Sequence, residues 1–313
     1  MNNFLIGFNA VIPMMLYMAL GQFFARSGMI KQEAFGQFNR AIFSILLPLN
    51  LFSNIYNTSL DTEFTSLTLN YSIIFAVTAF IVLAIIIPFF EKDDTKRGVI
   101  LQGAIRSNAI LFGLPLGIAL LGEENLGMVT IVLAIIVPVN NIFSVISFSL
   151  YGHESFSIKK LLLDVIKNPM VIFTLAGIVV AAFGIKFPLV IESTMNNLVR
   201  MTTPLALIVM GGTINFGKLR YTSKSLFGTV TLRLLIVPAV ALFIAGYFLG
   251  FRGDDIIAVL VATAGPTAVS SYSQAVVAGG DADLANQVVV FTTLCSMFTL
   301  VIFISILKNL AFF

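Results

Sequence analysis

Charge is what this sequence has least of. Of its 313 residues only 11% are charged, while 58% are apolar and the mean hydropathy is +1.00. A soluble domain of this length exposes far more charge, so the class is a polytopic α-helical membrane protein. There is one histidine, His153, in a polar gap, and no HExxH pair, which excludes a zinc protease. No GxxxxGK[ST] occurs, which excludes an ATP site of the P-loop type. The single cysteine, Cys295, makes no intrachain disulfide and leaves the redox compartment unread. All fifteen carboxylates fall in loops or at the ends of apolar blocks. That argues against an intramembrane aspartyl protease and against antiport through buried acids, which both need carboxylates at mid-membrane. The net charge of +3 is no nucleic-acid footprint, because most basic residues lie in short loops. The N-terminus has no basic n-region, and its apolar run is too long for a signal peptide, so it reads as the first span. Neither a cofactor nor a metal site is expected.

What is present is a series of apolar blocks. A spanning helix needs roughly 20 such residues. Ten blocks can be laid at about 4–25, 36–56, 68–90, 98–121, 126–150, 168–185, 190–215, 225–250, 255–278 and 285–307. The longest polar gap, YGHESFSIKKLLLDVIKN at 151–168, reads as an amphipathic linker. Twelve Lys and Arg residues fall in alternate gaps: Arg26, Lys31, Arg40, Lys92, Lys96, Arg97, Lys159, Lys160, Lys167, Lys218, Arg220 and Lys224. The other side holds only Lys186, Arg252 and Lys308. The first side is therefore cytoplasmic and both termini lie outside.

Ten spans invite a search for a repeat of five. LGEENLG at 121–127 resembles GGDADLA at 279–285, LLPLNLFSN at 46–54 shares Pro-Leu with TTPLALIVM at 202–210, and Pro115 answers Pro266. The offsets are 158, 156 and 151 residues. An odd number of spans per repeat inverts one half relative to the other, as in many secondary transporters. The expected units are 1–155 and 156–313.

Two spans carry polar interruptions. GAIRSNAILFGLPLG, at 103–117, places Arg106, Ser107 and Asn108 ahead of Gly113 and Pro115. ATAGPTAVSSYSQ, at 262–274, places Thr263, Thr267, Ser270, Ser271 and Gln274 around Gly265 and Pro266. Unwound backbone inside a membrane is tolerated only where it is buried in protein or lines a water-filled cavity. Pro115 and Pro266 therefore read as starts of second half-helices whose free N–H groups attract an anion. The plainer readings are a simple proline kink, hydroxyls bonded to their own helix, and an arginine that snorkels to the interface. Asn140 and Asn141 of span 5 and Asn50 of span 2 are further candidates to line the cavity. Arg233 reads as a snorkeler or a structural donor.

These segments, with KNPMVIFTLAGIVV at 167–180 and TTPLALIVMGGTI at 202–214, resemble the auxin efflux carrier family, which includes bacterial malate and malonate permeases. The resemblance covers most of the chain in order. It implies ten spans as a five-plus-five inverted repeat, with spans 4 and 9 broken and crossing at the anion site. It also implies a scaffold of spans 1, 2, 6 and 7, through which two copies pair, and a moving unit of spans 3–5 and 8–10. By position Asn108, Pro115 and Pro266 match the family's crossover. The short central linker looks bacterial. The expectation is a secondary carrier of small organic anions, malate-like dicarboxylates first, working by an elevator motion with a proton, sodium or exchange as driving partner. Two alternatives stand beside it: a sodium-coupled symporter like the bile acid carriers, and a membrane sensor that binds a carboxylate without moving it.

Overall fold

The computed structural model describes residues 3–56, 67–122, 125–151, 167, 169–213 and 224–313. Most of the expected linker at 151–168 lies outside them, as do Lys159, Lys160, Lys218, Arg220, His153 and two residues of LGEENLG. The described residues form fourteen α-helices and no strand beyond one isolated bridge. In chain order these are α1 (Asn3–Arg26), α2 (Gln32–Ala41), α3 (Leu47–Tyr56), α4 (Leu67–Phe90), α5 (Asp94–Ile105), α6 (Leu114–Leu121) and α7 (Gly127–Tyr151). They continue as α8 (Pro169–Ala182), α9 (Leu189–Thr213), α10 (Lys224–Thr231), α11 (Val237–Phe243), α12 (Asp254–Thr263), α13 (Ser270–Val277) and α14 (Ala282–Asn309). Helices dominate because an apolar run in lipid must satisfy every backbone group within its own segment.

Among the described residues, five continuous helical runs are long and apolar enough to cross a membrane: Leu5–Arg26, Leu67–Phe90, Gly127–Tyr151, Lys224–Phe248 and Ala282–Asn309. The run Lys224–Phe248 is α10 and α11 joined and extended by the π-helical turns Leu232–Ile236 and Ile244–Phe248. The other expected spans are of different make. The fourth is α5 and α6 with a break between them, the ninth is α12 and α13 with a break between them, and a π-helical turn joins α2 to α3. Helix α9 is long but carries Glu192, Asn196, Asn197 and Arg200.

Two close packings organise the molecule. Helix α1 lies along α9, and α3 lies along α8. The first contact is backbone against backbone: a Cβ on Gly21 would stand 1.8 Å from the Ile208 carbonyl oxygen, and one on Gly211 would stand 2.0 Å from that of Met18. Elsewhere α5 packs on α4, α7, α10, α13 and α14, while α12 packs on α4, α6, α7 and α11. Helix α14 also leans on α1. Helix α4 turns Ile74, Ile81, Ile85 and Phe89 outward, as a lipid-facing helix does.

The helix ends meet in two sets. In one, the Ser225 hydroxyl donates to Glu91 and the Asp281 N–H donates to the Thr95 carbonyl. In the other, Tyr56 donates to Glu192, Thr68 donates to Asp255 at 2.5 Å, and the Gly253 N–H donates to the Phe312 carbonyl.

Candidate functional site

The two breaks touch. Helix α5 stops at Ile105, and Arg106 turns to an extended conformation with φ −76° and ψ 91°. Helix α12 stops at Thr263. Ser107 and Thr267 pair as an antiparallel bridge, in which the Asn108 N–H donates to the Pro266 carbonyl (2.7 Å) and the Ala268 N–H to the Arg106 carbonyl (3.0 Å). Each unwound strand thus satisfies the other, which lets both stay non-helical inside the protein. Gly265 makes room for the crossing: a Cβ there would lie 2.9 Å from the Ser107 hydroxyl. Gly113 does the same farther on, where a Cβ would meet Val261 at 2.6 Å.

Pro115 falls in the first turn of a second half-helix, α6, as expected, but the break lies farther upstream. The first break is Arg106–Asn108, followed by a π-helical turn at Ala109–Gly113, and Pro115 is already inside α6. Proline is tolerated there because its missing N–H belongs to a first turn. Pro266 does lie within its break, although α13 begins only at Ser270. The residues that correspond across the crossing are Ser107 and Thr267, 160 apart in sequence.

Beside the crossing is a polar network. Arg106, only 8% exposed, donates from Nη1 to Gln274 Oε1 (2.5 Å) and Ser144 Oγ (3.5 Å) and from Nη2 to Asn141 Oδ1 (2.7 Å). Gln102 donates to the same Gln274 oxygen (2.5 Å) and to Ser144. These partners are all neutral. A guanidinium has five N–H donors, so donors remain for a ligand. A buried charge with only neutral partners is costly unless something of opposite sign joins it.

Asn108 is buried, and its amide donates to Met210 Sδ of α9 at 3.7 Å, a weak bond that a better acceptor would displace. The Ser107 and Ser271 hydroxyls are buried and find no hydrogen-bond partner among the described residues. Ser107 lies in the first break, and Ser271 is the second residue of the helix that follows the other. Thr267 is fully committed: its hydroxyl donates to the Gly103 carbonyl (2.8 Å) and its N–H to the Thr292 hydroxyl (3.1 Å). Thr263 donates back to Val259 of its own helix. Ser270 is half-buried at the start of α13. Asn140 lines a cavity of ≈ 30 Å³ with Tyr71, Ser72, Thr263 and Arg233. Asn50 is buried on α3, which packs against α7.

Gln102, Ser144, Met210 and Thr292 bond to the candidate residues or their partners, and the sequence reading did not single them out. A spacing signal existed for two: Gln102 precedes Arg106 by four residues and Ser144 follows Asn141 by three, so each pair shares a helix face. Arg233 is a structural donor, 1% exposed, whose guanidinium binds backbone carbonyls of both broken helices. Arg200 is exposed on α9.

Comparison with known proteins agrees with this arrangement. The family model described as "Membrane transport protein" matches residues 6–155 and 151–304. An uncharacterized transporter of Methanocaldococcus jannaschii is 24% identical, over 97% of this chain and 100% of the relative. Another from Methanothermobacter thermautotrophicus is 25% identical, over 93% of this chain and 95% of the relative. The chain is thus a multi-pass membrane transporter rather than an enzyme, and it belongs to the auxin efflux carrier-like membrane transport family.

Proposed function

We propose that the protein is a secondary carrier for small organic anions, malate-like dicarboxylates first, and that the anion binds where the two breaks cross. The observation that carries this is Arg106: a buried guanidinium whose partners are Gln274, Ser144 and Asn141, with no acid among them. A carboxylate supplies the missing charge, and a guanidinium fork matches its geometry. The Ser107 and Ser271 hydroxyls and the Asn108 amide are the neutral donors that orient it.

In this reading α1–α3, α8 and α9 form the scaffold, and α4–α7 with α10–α14 form the unit that carries the site. The close packing of α1 on α9 and of α3 on α8 supports the first group, and the packing of α5 and α12 on α7 supports the second. The hydrogen bond from Asn108 to α9 is the weak one to Met210, as a sliding surface requires. The two sets of helix ends support two membrane sides: Glu91, Thr95, Ser225 and Asp281 on the cytoplasmic side, and Tyr56, Asp255 and Phe312 outside with both termini. The protein sits in the cytoplasmic membrane of a prokaryote and, from the family resemblance, pairs through its scaffold.

The test is uptake of radiolabelled malate into proteoliposomes holding the purified protein, under a proton gradient, a sodium gradient or internal malate. Protein-dependent uptake that is lost in Asn108→Ala, with the variant still folded, is the expected result. Normal transport by Asn108→Ala removes that residue from the site. No uptake of malate or of other carboxylates under any of the three conditions overturns the reading.

A further inference from the structure

Arg233 lies on α10–α11, outside both broken helices, yet it ends both of them. Its Nε donates to the Gly265 carbonyl at 2.8 Å, its Nη1 to those of Ala104 (3.2 Å) and Ile105 (3.0 Å), and its Nη2 to that of Thr263. Two of these oxygens close α5, one is that of the last residue of α12, and the Gly265 oxygen lies just past it in the break. The accounting for α5 is complete. Its last four carbonyls, from Gln102 to Ile105, are taken by the Arg106 N–H, the Thr267 hydroxyl and, twice, by Arg233. A helix C-terminus carries about half a negative charge. Two such ends brought together therefore present about one, and a single guanidinium matches it. The side chain is aimed from the π-helical turn Leu232–Ile236, the kind of local irregularity that recurs where a helix carries a functional group.

Four carbonyl oxygens converging on one buried positive charge is the coordination a monovalent cation takes from a protein. We propose that Arg233 is the resident cation of the crossover: a tethered guanidinium that holds the two half-helix ends together where an exchangeable ion would otherwise be needed. It is a positioning residue, acting on the anion site through Ala104, Ile105 and Gly265, the neighbours of Arg106 and Pro266. This inference rests on the crossover being the transport site, but not on which anion is carried. It makes added sodium dispensable at this position. Lysine is a poor substitute, because a point charge with three donors cannot span four carbonyls as a planar fork does. Removing the side chain leaves a carbonyl-lined space that opens on the cavity of ≈ 30 Å³ lined by Asn140, Thr263 and Tyr71.

The experiment is thermal unfolding of the purified protein in detergent, for wild type, Arg233→Lys and Arg233→Ala. Each is measured in choline chloride, sodium chloride and dilute guanidinium chloride at matched ionic strength. Wild type should gain nothing from dilute guanidinium over choline, since its cage is already filled. Arg233→Ala should melt lower in choline and recover with guanidinium, or with sodium, at concentrations that leave wild type unmoved. Arg233→Lys should fall between them. An Arg233→Ala protein as stable as wild type in choline overturns the proposal, as does a loss that no small cation restores more than choline does. If Arg233→Ala gives no folded protein, Arg233→Lys decides. Recovery of its melting temperature by guanidinium beyond what wild type gains from the same salt supports the proposal, and a loss that no small cation restores more than choline does overturns it. These readouts need no substrate, so failure of malate uptake would count against the proposed function and not against the role of Arg233.

Discussion

At the scale of single residues, Arg106 and Arg233 show how the same side chain serves two ends. Both are buried, but Arg233 spends its donors on backbone carbonyls while Arg106 meets only side-chain amides and a hydroxyl. Arg106 is thus the charge with capacity to spare. Arg106→Gln should weaken anion binding about 10- to 100-fold, from the loss of hydrogen bonds to a charged group, each worth about 1.5–3 kcal/mol. Arg106→Lys should weaken it less, because the charge remains though the fork is gone. Equilibrium binding of labelled malate measures both, and equal losses would make Arg106 structural. Arg106, Asn108, Asn141 and Gln274 were legible in the sequence because a polar side chain inside an apolar run has few inexpensive explanations. Arg233 was legible only as one of two readings, snorkeler or structural donor, and what it donates to was not. Its partners are peptide carbonyls, which every residue has and no sequence marks.

At the scale of elements, proline was the misleading sign. Pro115 does stand in the first turn of α6, yet the break it was expected to mark lies at the Arg-Ser-Asn several residues before it. Glycine was the better guide to contact. Gly21 and Gly211 let α1 and α9 touch backbone to backbone, so Gly211→Ala must push these helices apart. Overpacking of this kind costs about 1–3 kcal/mol or more, and thermal unfolding in detergent should show the loss without requiring substrate. Helix starts offer a pH-dependent counterpart. Asp93 caps α5, accepting from the Thr95 hydroxyl at 2.7 Å and the Thr95 N–H at 3.0 Å. The hydroxyl donation, ahead of the N–H and Lys96, holds its carboxyl below the ordinary aspartate value. A depressed folded-state pKa stabilises above the unfolded value and is lost as pH falls through the folded one. Asp93→Ala should therefore cost about 1 kcal/mol at neutral pH. The gap to wild type should close in acid, as melting curves across that range can show.

At the scale of the whole molecule, hydropathy exposed the spans that are single helices and blurred those that are not. Ala282–Asn309 is one uninterrupted helix and Lys224–Phe248 stays helical through two π-helical turns, whereas α5–α6 and α12–α13 are held open by each other, a contact between residues 160 apart that no local window senses. The proposed sliding of one group of helices along the other is the remaining claim at this scale, and the structure offers a way to freeze it. An ideal Cβ on Gly7 of α1 lies 3.3 Å from the Ile304 Cβ of α14, near the spacing a disulfide needs. That pair joins the scaffold to the moving unit. A Cβ on Gly177 of α8 lies equally close, at 3.3 Å, to the Ile55 Cβ of α3, and that pair lies within the scaffold. With Cys295 replaced by alanine, Gly7→Cys with Ile304→Cys should bind anion but stop transport when oxidised, and recover on reduction. Gly177→Cys with Ile55→Cys should transport in both redox states. Uptake that survives the first cross-link would mean that α1 and α14 stay together through the cycle, and the moving unit would have to exclude α14.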